Sequence, residues 1–208
     1  MKLEIHYLPS IEYFSLLIKN FGEIEFEINE NYSKQSYRNR ARILTANGPF
    51  DLIVPIIHNN GLKQLMKDVK INYDENWLKQ HIGAISSAYS KSAFFDYFFP
   101  EILDIYNKKI KFLFDLNIEF IELFGRFLGT TIIFQLSEDF DISKEEKFYN
   151  LIHPKRPENW TNGKIVGDYQ YFQCFGNEFS PNLSILDLLM NQGRDTLKIL
   201  NNTKFRTK

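Results

Sequence analysis

Residues 3–28 read LEIHYLPSIEYFSLLIKNFGEIEFEI, a stretch that predicts a strand, a helix and a second strand. The first strand covers residues 3–7 and is broken by the proline that follows. Ser10 is a good N-cap, and apolar side chains recur after it at helical spacing until Gly22 ends the helix. Residues 23–28 alternate strictly between charged and apolar side chains, as a half-buried strand does. This order predicts an α/β fold.

The rest of the chain continues the mixed pattern. The further predicted strands span residues 37–45, 50–57, 69–72 and 130–136, with an Asn47-Gly48 hairpin signal. The predicted helices span residues 75–88, 92–98, 101–115, 118–128 and 184–191, and a capping box starts another at Ser143. No low-complexity linker separates domains. We therefore predict one α/β domain over residues 1–200, an N-terminal mixed sheet with a helical middle portion, followed by a frayed tail at 201–208.

The overall composition limits the classes of function. The chain has 208 residues, is 44% hydrophobic and carries a net charge of −1, so general nucleic-acid binding is not expected. Cys174 is the only cysteine, which excludes an internal disulfide and a cysteine-based zinc site. No signal peptide or membrane-spanning stretch is evident, so we expect a soluble cytoplasmic protein without membrane insertion. No cofactor and no metal site is evident, and the oligomeric state is open.

Basic side chains are concentrated in a window without acidic residues, residues 31–50. The run KQSYRNRAR inside it supplies the candidate binding residues Lys34, Arg38, Asn39, Arg40 and Arg42. Alternate residues of a strand share a face, so we expect the three arginines to lie together and at least two of them to line a pocket. Guanidinium groups bind carboxylates and phosphates through paired hydrogen bonds. The run therefore predicts a site for a small phosphate- or carboxylate-bearing substrate.

The arginine run has a structural alternative. Glu23, Glu25 and Glu27 share one face of the preceding predicted strand. If the two strands pair, the acidic and basic rows face each other and each pair contributes at most ~1 kcal/mol. Both interpretations, a ligand site and an ion-pair ladder, follow from the spacing.

Elements along the whole chain resemble the WbqC-like protein family, which is associated with bacterial O-antigen and other surface-polysaccharide gene clusters. The elements that carry the resemblance are YLPSIEYF at residues 7–14, YSKQSYRNR at 32–40, LIVP at 52–55, Trp77 with His81, YSKS at 89–92 and FSPNLSILDLLMNQG at 179–193. The resemblance implies amino-sugar or O-antigen chemistry, such as the transfer or ligation of an amino acid or acyl group to a nucleotide-linked sugar.

Two function classes stay open. One is a transferase or ligase, for which ATP or a sugar nucleotide is a candidate substrate. The other is a non-catalytic protein that binds an anion or sugar nucleotide, or that acts as a scaffold in polysaccharide assembly. An enzyme should have a deep pocket where a titrating side chain meets the arginines, whereas a binding protein can present a shallow charged face.

Catalysis at neutral pH needs a group that exchanges protons, and the candidate catalytic residues are His81, His6 and Tyr89. His6 and the candidate binding residue Tyr13 flank the first strand–helix turn, where α/β folds bind ligands.

Trp77 and His81 lie four residues apart on one helix face, so Trp77 is expected to stack on a sugar or base. Lys91 is a candidate phosphate ligand or a solvated turn lysine. We expect His81, Trp77 and Tyr89 within reach of the arginines. The alternative for either histidine is a structural role.

Overall fold

The computed structural model describes residues 1–20, 22–59, 62–140, 148–155, 165–166 and 170–205. In chain order its elements are β1 (Lys2–Leu3), α1 (Ile11–Lys19), β2 (Ile24–Phe26), β3 (Arg40–Thr45), β4 (Gly48–Ile53), α2 (Trp77–Tyr89), α3 (Phe95–Asn107), α4 (Leu113–Phe127), β5 (Phe134–Leu136), β6 (Ile165–Val166), α5 (Ile185–Gln192), α6 (Thr196–Asn202) and β7 (Lys204–Phe205). Single turns of 3-10 helix occur at Met66–Asp68 and Gly193–Asp195. These mixed helices and strands confirm the predicted α/β class.

A parallel sheet has β2 at its centre, with β1 on one side and β5 on the other. The helix α1 connects β1 to β2 and begins after Ser10, whose hydroxyl accepts a hydrogen bond from the Tyr13 N–H. The first strand is two residues long, shorter than the predicted residues 3–7. Beyond it the chain turns inward, and the N–H of Tyr7 donates to the Tyr37 carbonyl. Side chains after β1 therefore face the interior at the carboxyl ends of the parallel strands.

An antiparallel hairpin of β3 and β4 lies outside this sheet, with Arg40 opposite Ile53 and Arg42 opposite Asp51. Gly48 follows the turn with a φ of 98°, which glycine adopts without strain. The strand begins later than the predicted residue 37, because the backbone at residues 37–38 forms a turn. Because of that turn, the strand-like alternation of side chains between two faces does not extend back from β3 to residues 37–38.

The helical middle portion differs from prediction in its boundaries. The predicted helices 92–98 and 101–115 are joined into α3, which passes through Pro100 and ends before Lys109, where φ is 47°. Residues 113–115 belong to α4 instead. The predicted strand 130–136 is reduced to β5, a half-exposed edge strand. The predicted strand 69–72 is present only as isolated bridges, Ile56 to Ile71 and Lys70 to Phe112.

The C-terminal elements close the fold against its N-terminus. Ser10 bridges Ser184, and the N–H of Ser184 donates to the Arg42 carbonyl at 2.7 Å, so α1, α5 and β3 meet. The tail predicted to fray from residue 201 is helical to the end of α6 and then pairs with β6 through β7. The helix predicted from Ser143 and residues 206–208 lie outside the described residues. In the part of the chain that is described, no helix is long and apolar enough to cross a membrane.

Candidate functional site

Arg38 lies in the interior of the protein. Its side chain is 1% exposed, and its Nε and Nη2 donate to the two carboxylate oxygens of Glu30 at 2.6 and 2.5 Å. Nη2 also donates to Asn150 Oδ1 at 3.0 Å, and the hydroxyl of Tyr149 donates to Glu30. The expectation that Arg38 shares a strand face with the other arginines is wrong, because the turn before β3 directs Arg38 to the carboxyl ends of β1 and β2.

His6 lies in the same interior cluster. Its Nε2 is 3.0 Å from Glu4 Oε1, and its ring stacks on Tyr13 with 3.9 Å between centroids. The second oxygen of Glu4 accepts from the Asn150 N–H at 2.7 Å. Burial lowers the pKa of His6 despite the adjacent Glu4 carboxylate. The structure thus brings His6, Tyr13 and Arg38 together, as an enclosed polar cluster.

His81 is also buried, in an aromatic layer between α2 and α3. Its Nδ1 is 3.0 Å from the hydroxyl of Tyr7, which lies 2.5 Å from the hydroxyl of Tyr106. The edge of the Trp77 ring packs on the imidazole, with 5.0 Å between centroids. Burial lowers the pKa of His81 to about 4, although a hydrogen bond to the Ile53 carbonyl acts to raise it. The imidazole is therefore neutral at pH 7.

Two further candidates lie at the end of α2. Tyr89 is buried beside Asp187, whose carboxylate accepts from the Tyr171 hydroxyl at 2.6 Å. Burial raises the pKa of Asp187 to about 6. Lys91 is exposed in the turn that follows the helix. Catalytic roles for His81, His6 and Tyr89 and binding roles for Trp77 and Lys91 remain predictions.

An open cavity of about 590 Å³ lies beside the hairpin. We call it the hairpin groove, and its lining residues are Tyr32, Lys34, Gln35, Asn39, Arg40, Ile53, Val54, Pro55, Ile56, Ile57, His58, Asn72, Asp74 and Glu75. Of the predicted binding residues, the groove contains Lys34, Asn39 and Arg40. It therefore brings together a lysine, an amide and a guanidinium on a surface that a small molecule can reach.

The groove carries two basic side chains, Lys34 and Arg40, together with the acidic Asp74 and Glu75. Arg40 Nη1 lies 3.1 Å from Asp51 Oδ2, while Arg42 donates to both oxygens of Asp51 at 2.8 and 3.3 Å. Two guanidiniums thus share one carboxylate, and the buried Nε of Arg40 has no hydrogen-bond partner among the residues that the structure describes. Lys34 adds a third, exposed cation. Arg42 shares the strand face of Arg40, as predicted, but it does not line the groove.

Asn39 fixes the wall of the groove. Its Nδ2 donates to the Val54 carbonyl at 2.8 Å, and its own carbonyl accepts from the Val54 N–H at 2.8 Å. This pairing extends the contact between the two strands beyond the start of β3 and the end of β4. Gln35 has a φ of 56°, and Ser36 Oγ donates to the Ser33 carbonyl at 2.7 Å. The tight turn so formed keeps Lys34 on the same side of the hairpin as Arg40.

The arginines do not pair with the glutamates of β2, as the ion-pair alternative proposed. Lys2 Nζ lies 3.3 Å from Glu25 and 3.5 Å from Glu27, because β1 rather than β3 is the neighbour of β2. The arginines bind Glu30 and Asp51 instead. The spacing of residues within one segment could not identify which strand pairs with β2.

Sequence reasoning missed His58, which lines the groove from an exposed loop. His58 precedes Asn59 in a loop without a local motif, yet loops on a rigid scaffold commonly carry binding residues. Asp74 and Glu75 were missed as well, and they supply acceptors on the same cavity. The Asn72 side chain accepts from the Asp74 N–H at 3.0 Å, which holds that part of the lining in a turn.

The model of the WbqC-like protein family matches residues 5–169 and 159–199 of this chain. An uncharacterized protein of Mycobacterium tuberculosis is 25% identical over 221 residues, which cover 93% of this chain and 93% of that protein. No solved structure matches the chain. The groove residues Lys34, Asn39, Arg40 and His58 all fall inside the first matched region.

Proposed function

Because the chain belongs to the WbqC-like protein family, we propose that it binds a phosphate- or carboxylate-bearing sugar metabolite of bacterial surface-polysaccharide or amino-sugar metabolism. The ligand occupies the hairpin groove, with its anionic group against Arg40 and Lys34. The observation that carries this proposal is the presence of Arg40 and Lys34 together on the wall of an open cavity, where Arg40 contacts Asp51 through one donor, Nη1.

The other lining residues suit a sugar. Asp74 and Glu75 offer carboxylate oxygens that accept hydrogen bonds from hydroxyl groups, and Asn72 is a further polar group. Ile53 is 44% exposed and supplies an apolar surface on the same cavity. A cavity of about 590 Å³ lies within the usual range for small-molecule sites. The groove thus combines a cationic anchor, hydroxyl acceptors and an apolar contact.

A second candidate function is group transfer or ligation in this same groove. His58 supports it, because imidazole is the usual general base at neutral pH and His58 is exposed beside the cationic wall. In this scheme His58 takes the proton of the attacking amine or hydroxyl as its bond to the transferred group forms. The bond between that group and its phosphate breaks, and the phosphate departs as the leaving group held by Arg40. The interior histidines, His6 and His81, then serve structural roles.

The proposal includes a cytoplasmic location, where activated sugars are made. Cys174 supports it, because a single cysteine provides no internal disulfide of the kind that secreted proteins use.

The experiment is an NMR titration of the ¹⁵N-labelled protein with UDP-glucose. We expect the amide resonances of Lys34, Asn39 and His58 to shift with a common saturation curve. The amide of Lys91, on the turn after α2, serves as the internal reference and should not move. Shifts confined to the Lys91 turn, or no saturable shifts at millimolar ligand, would refute the proposal.

A further inference from the structure

Two other cavities adjoin the hairpin groove. One, of about 600 Å³, is lined by Ile57, His58, Asn59, Lys63, Gln64, Leu65, Asp68, Lys70, Lys111 and Phe112. The other, of about 300 Å³, is lined by Asn31, Tyr32, Lys34, Ile56, His58, Asn59, Leu62, Lys63 and Gln64. His58 lines all three cavities, and Lys34 and Lys63 both line the smallest. The surface is therefore one continuous depression that passes around His58.

The far end of this depression carries its own positive charge. Lys63, Lys70 and Lys111 line the 600 Å³ cavity, and Asp68 is its one acidic residue among those described. All three lysines are exposed. The Lys111 ammonium lies 5.2 Å from the centre of the Phe112 ring, which holds it beside the cavity. Three ammonium groups against one carboxylate leave this end cationic as well.

Backbone pairing fixes the far end in place. The N–H of Ile57 donates to the Lys70 carbonyl at 2.9 Å, and the N–H of Ile71 donates to the Lys111 carbonyl at 3.0 Å. Lys70 also bridges Phe112. Three segments that are distant in sequence thus run side by side. Their arrangement positions Lys70 and Lys111 on the same cavity through main-chain bonds.

We infer that Lys63, Lys70 and Lys111 form a second anion subsite, so that the ligand carries two anionic groups separated by a neutral part. This inference rests on the proposed function. The diphosphate of a nucleotide-linked sugar binds at Arg40 and Lys34, because a guanidinium fork matches phosphate oxygens. The carboxylate of a sugar acid binds the lysines, and the neutral sugar crosses the exposed side chain of Ile57, which lines both large cavities.

UDP-glucose and UDP-glucuronic acid test the inference, because they differ only in the carboxylate at the sugar's C6. Isothermal titration at low salt should show UDP-glucuronic acid binding about 3- to 10-fold more tightly, as for ion pairs that remain partly solvated. The double variant K70A/K111A should remove this difference and leave the affinity for UDP-glucose unchanged. A matched double variant of two surface lysines that are not among the lining residues of the three cavities, K79A/K198A, should preserve the difference.

The outcomes separate this inference from the proposed function. Equal affinity of wild-type protein for the two probes, or a preference that survives in K70A/K111A, would overturn the second subsite while leaving the binding of UDP-glucose in place. Loss of UDP-glucose binding in K70A/K111A would overturn the assignment of the diphosphate to Arg40. Failure of the wild-type protein to bind either probe would overturn both proposals.

Discussion

Arg40 and Arg42 lie on the same face of β3 and bind the same carboxylate, that of Asp51. Arg42 engages both oxygens of Asp51, whereas Arg40 uses only Nη1 and lines the hairpin groove. Arg42 therefore makes the more extensive ion pair with Asp51, and of the two arginines Arg40 is the one that lines the groove. Equal spacing in the sequence thus does not give the two side chains equal surroundings.

The Arg38–Glu30 ion pair should stabilise the fold rather than bind a ligand. Arg38→Met leaves the buried Glu30 carboxylate without its charge partner, so we expect the free energy of unfolding to fall by roughly 3–5 kcal/mol. The double variant R38M/E30Q should recover part of this loss, because it removes the stranded charge. Urea denaturation measures the free energy of unfolding of both variants. Wild-type stability in R38M would show that the pair does not stabilise the fold.

Glu12 should make the protein less stable as pH rises. Glu12 is 1% exposed, and within the described part of the chain its Oε2 has no hydrogen-bond partner. Burial raises the pKa of Glu12 from 4.5 to about 8. Between these two values the unfolded chain has lost a proton that the folded protein keeps, so stability falls as pH increases through this window.

The variant Glu12→Gln removes this titration. Its stability relative to wild type should grow by roughly 3–5 kcal/mol from pH 4.5 to pH 8, because each unit of pKa corresponds to about 1.4 kcal/mol. Thermal and urea unfolding across this range measure the trend. Glu122→Gln, at an exposed position of α4, is the control and should show no trend. A difference in stability between E12Q and wild type that does not change with pH would show that Glu12 is not protonated in the folded protein.

His81 should make the protein sensitive to acid. Burial lowers the pKa of His81 from 6.5 to about 4, so the unfolded chain takes up a proton in this window while the folded protein does not. Stability should therefore fall by roughly 3 kcal/mol as pH drops from 6.5 to 4. The pH slope should flatten in His81→Gln but persist in His58→Gln, which alters an exposed histidine. Equal slopes in the two variants would mean that His81 does not cause the acid sensitivity.

The sequence predicted the helices and strands better than it predicted which residues lie next to each other in the fold. The N-cap at Ser10 and the hairpin turn at Gly48 depend on local backbone chemistry, and both appear as predicted. The burial of Arg38 depends on Glu30 and Asn150, which are brought to it by the fold. No spacing rule within one segment could reveal those partners.

The residues of the candidate site were likewise predictable only where they lie close together in the sequence. Lys34, Asn39 and Arg40 belong to one short run and could be identified from their charge and spacing. His58 and Glu75 reach the groove through tertiary packing, and neither carries a local motif. The helical spacing of Trp77 and His81 is also that of the buried face of a helix, where both lie, and their predicted roles stay predictions.

The most direct test of the central claim compares the affinity for UDP-glucose of two matched variants, Arg40→Gln and Arg42→Gln, by isothermal titration. Each variant leaves Asp51 one arginine partner, so both should fold. We predict that R40Q weakens binding at least 10-fold, as expected when a charge-assisted contact worth about 1.5–3 kcal/mol is lost. R42Q should weaken binding less than R40Q does, because Arg42 does not line the groove and its loss acts only by leaving Asp51 to pair with Arg40 alone. Equal affinities of R40Q and wild type would contradict the assignment of the hairpin groove as the anion site.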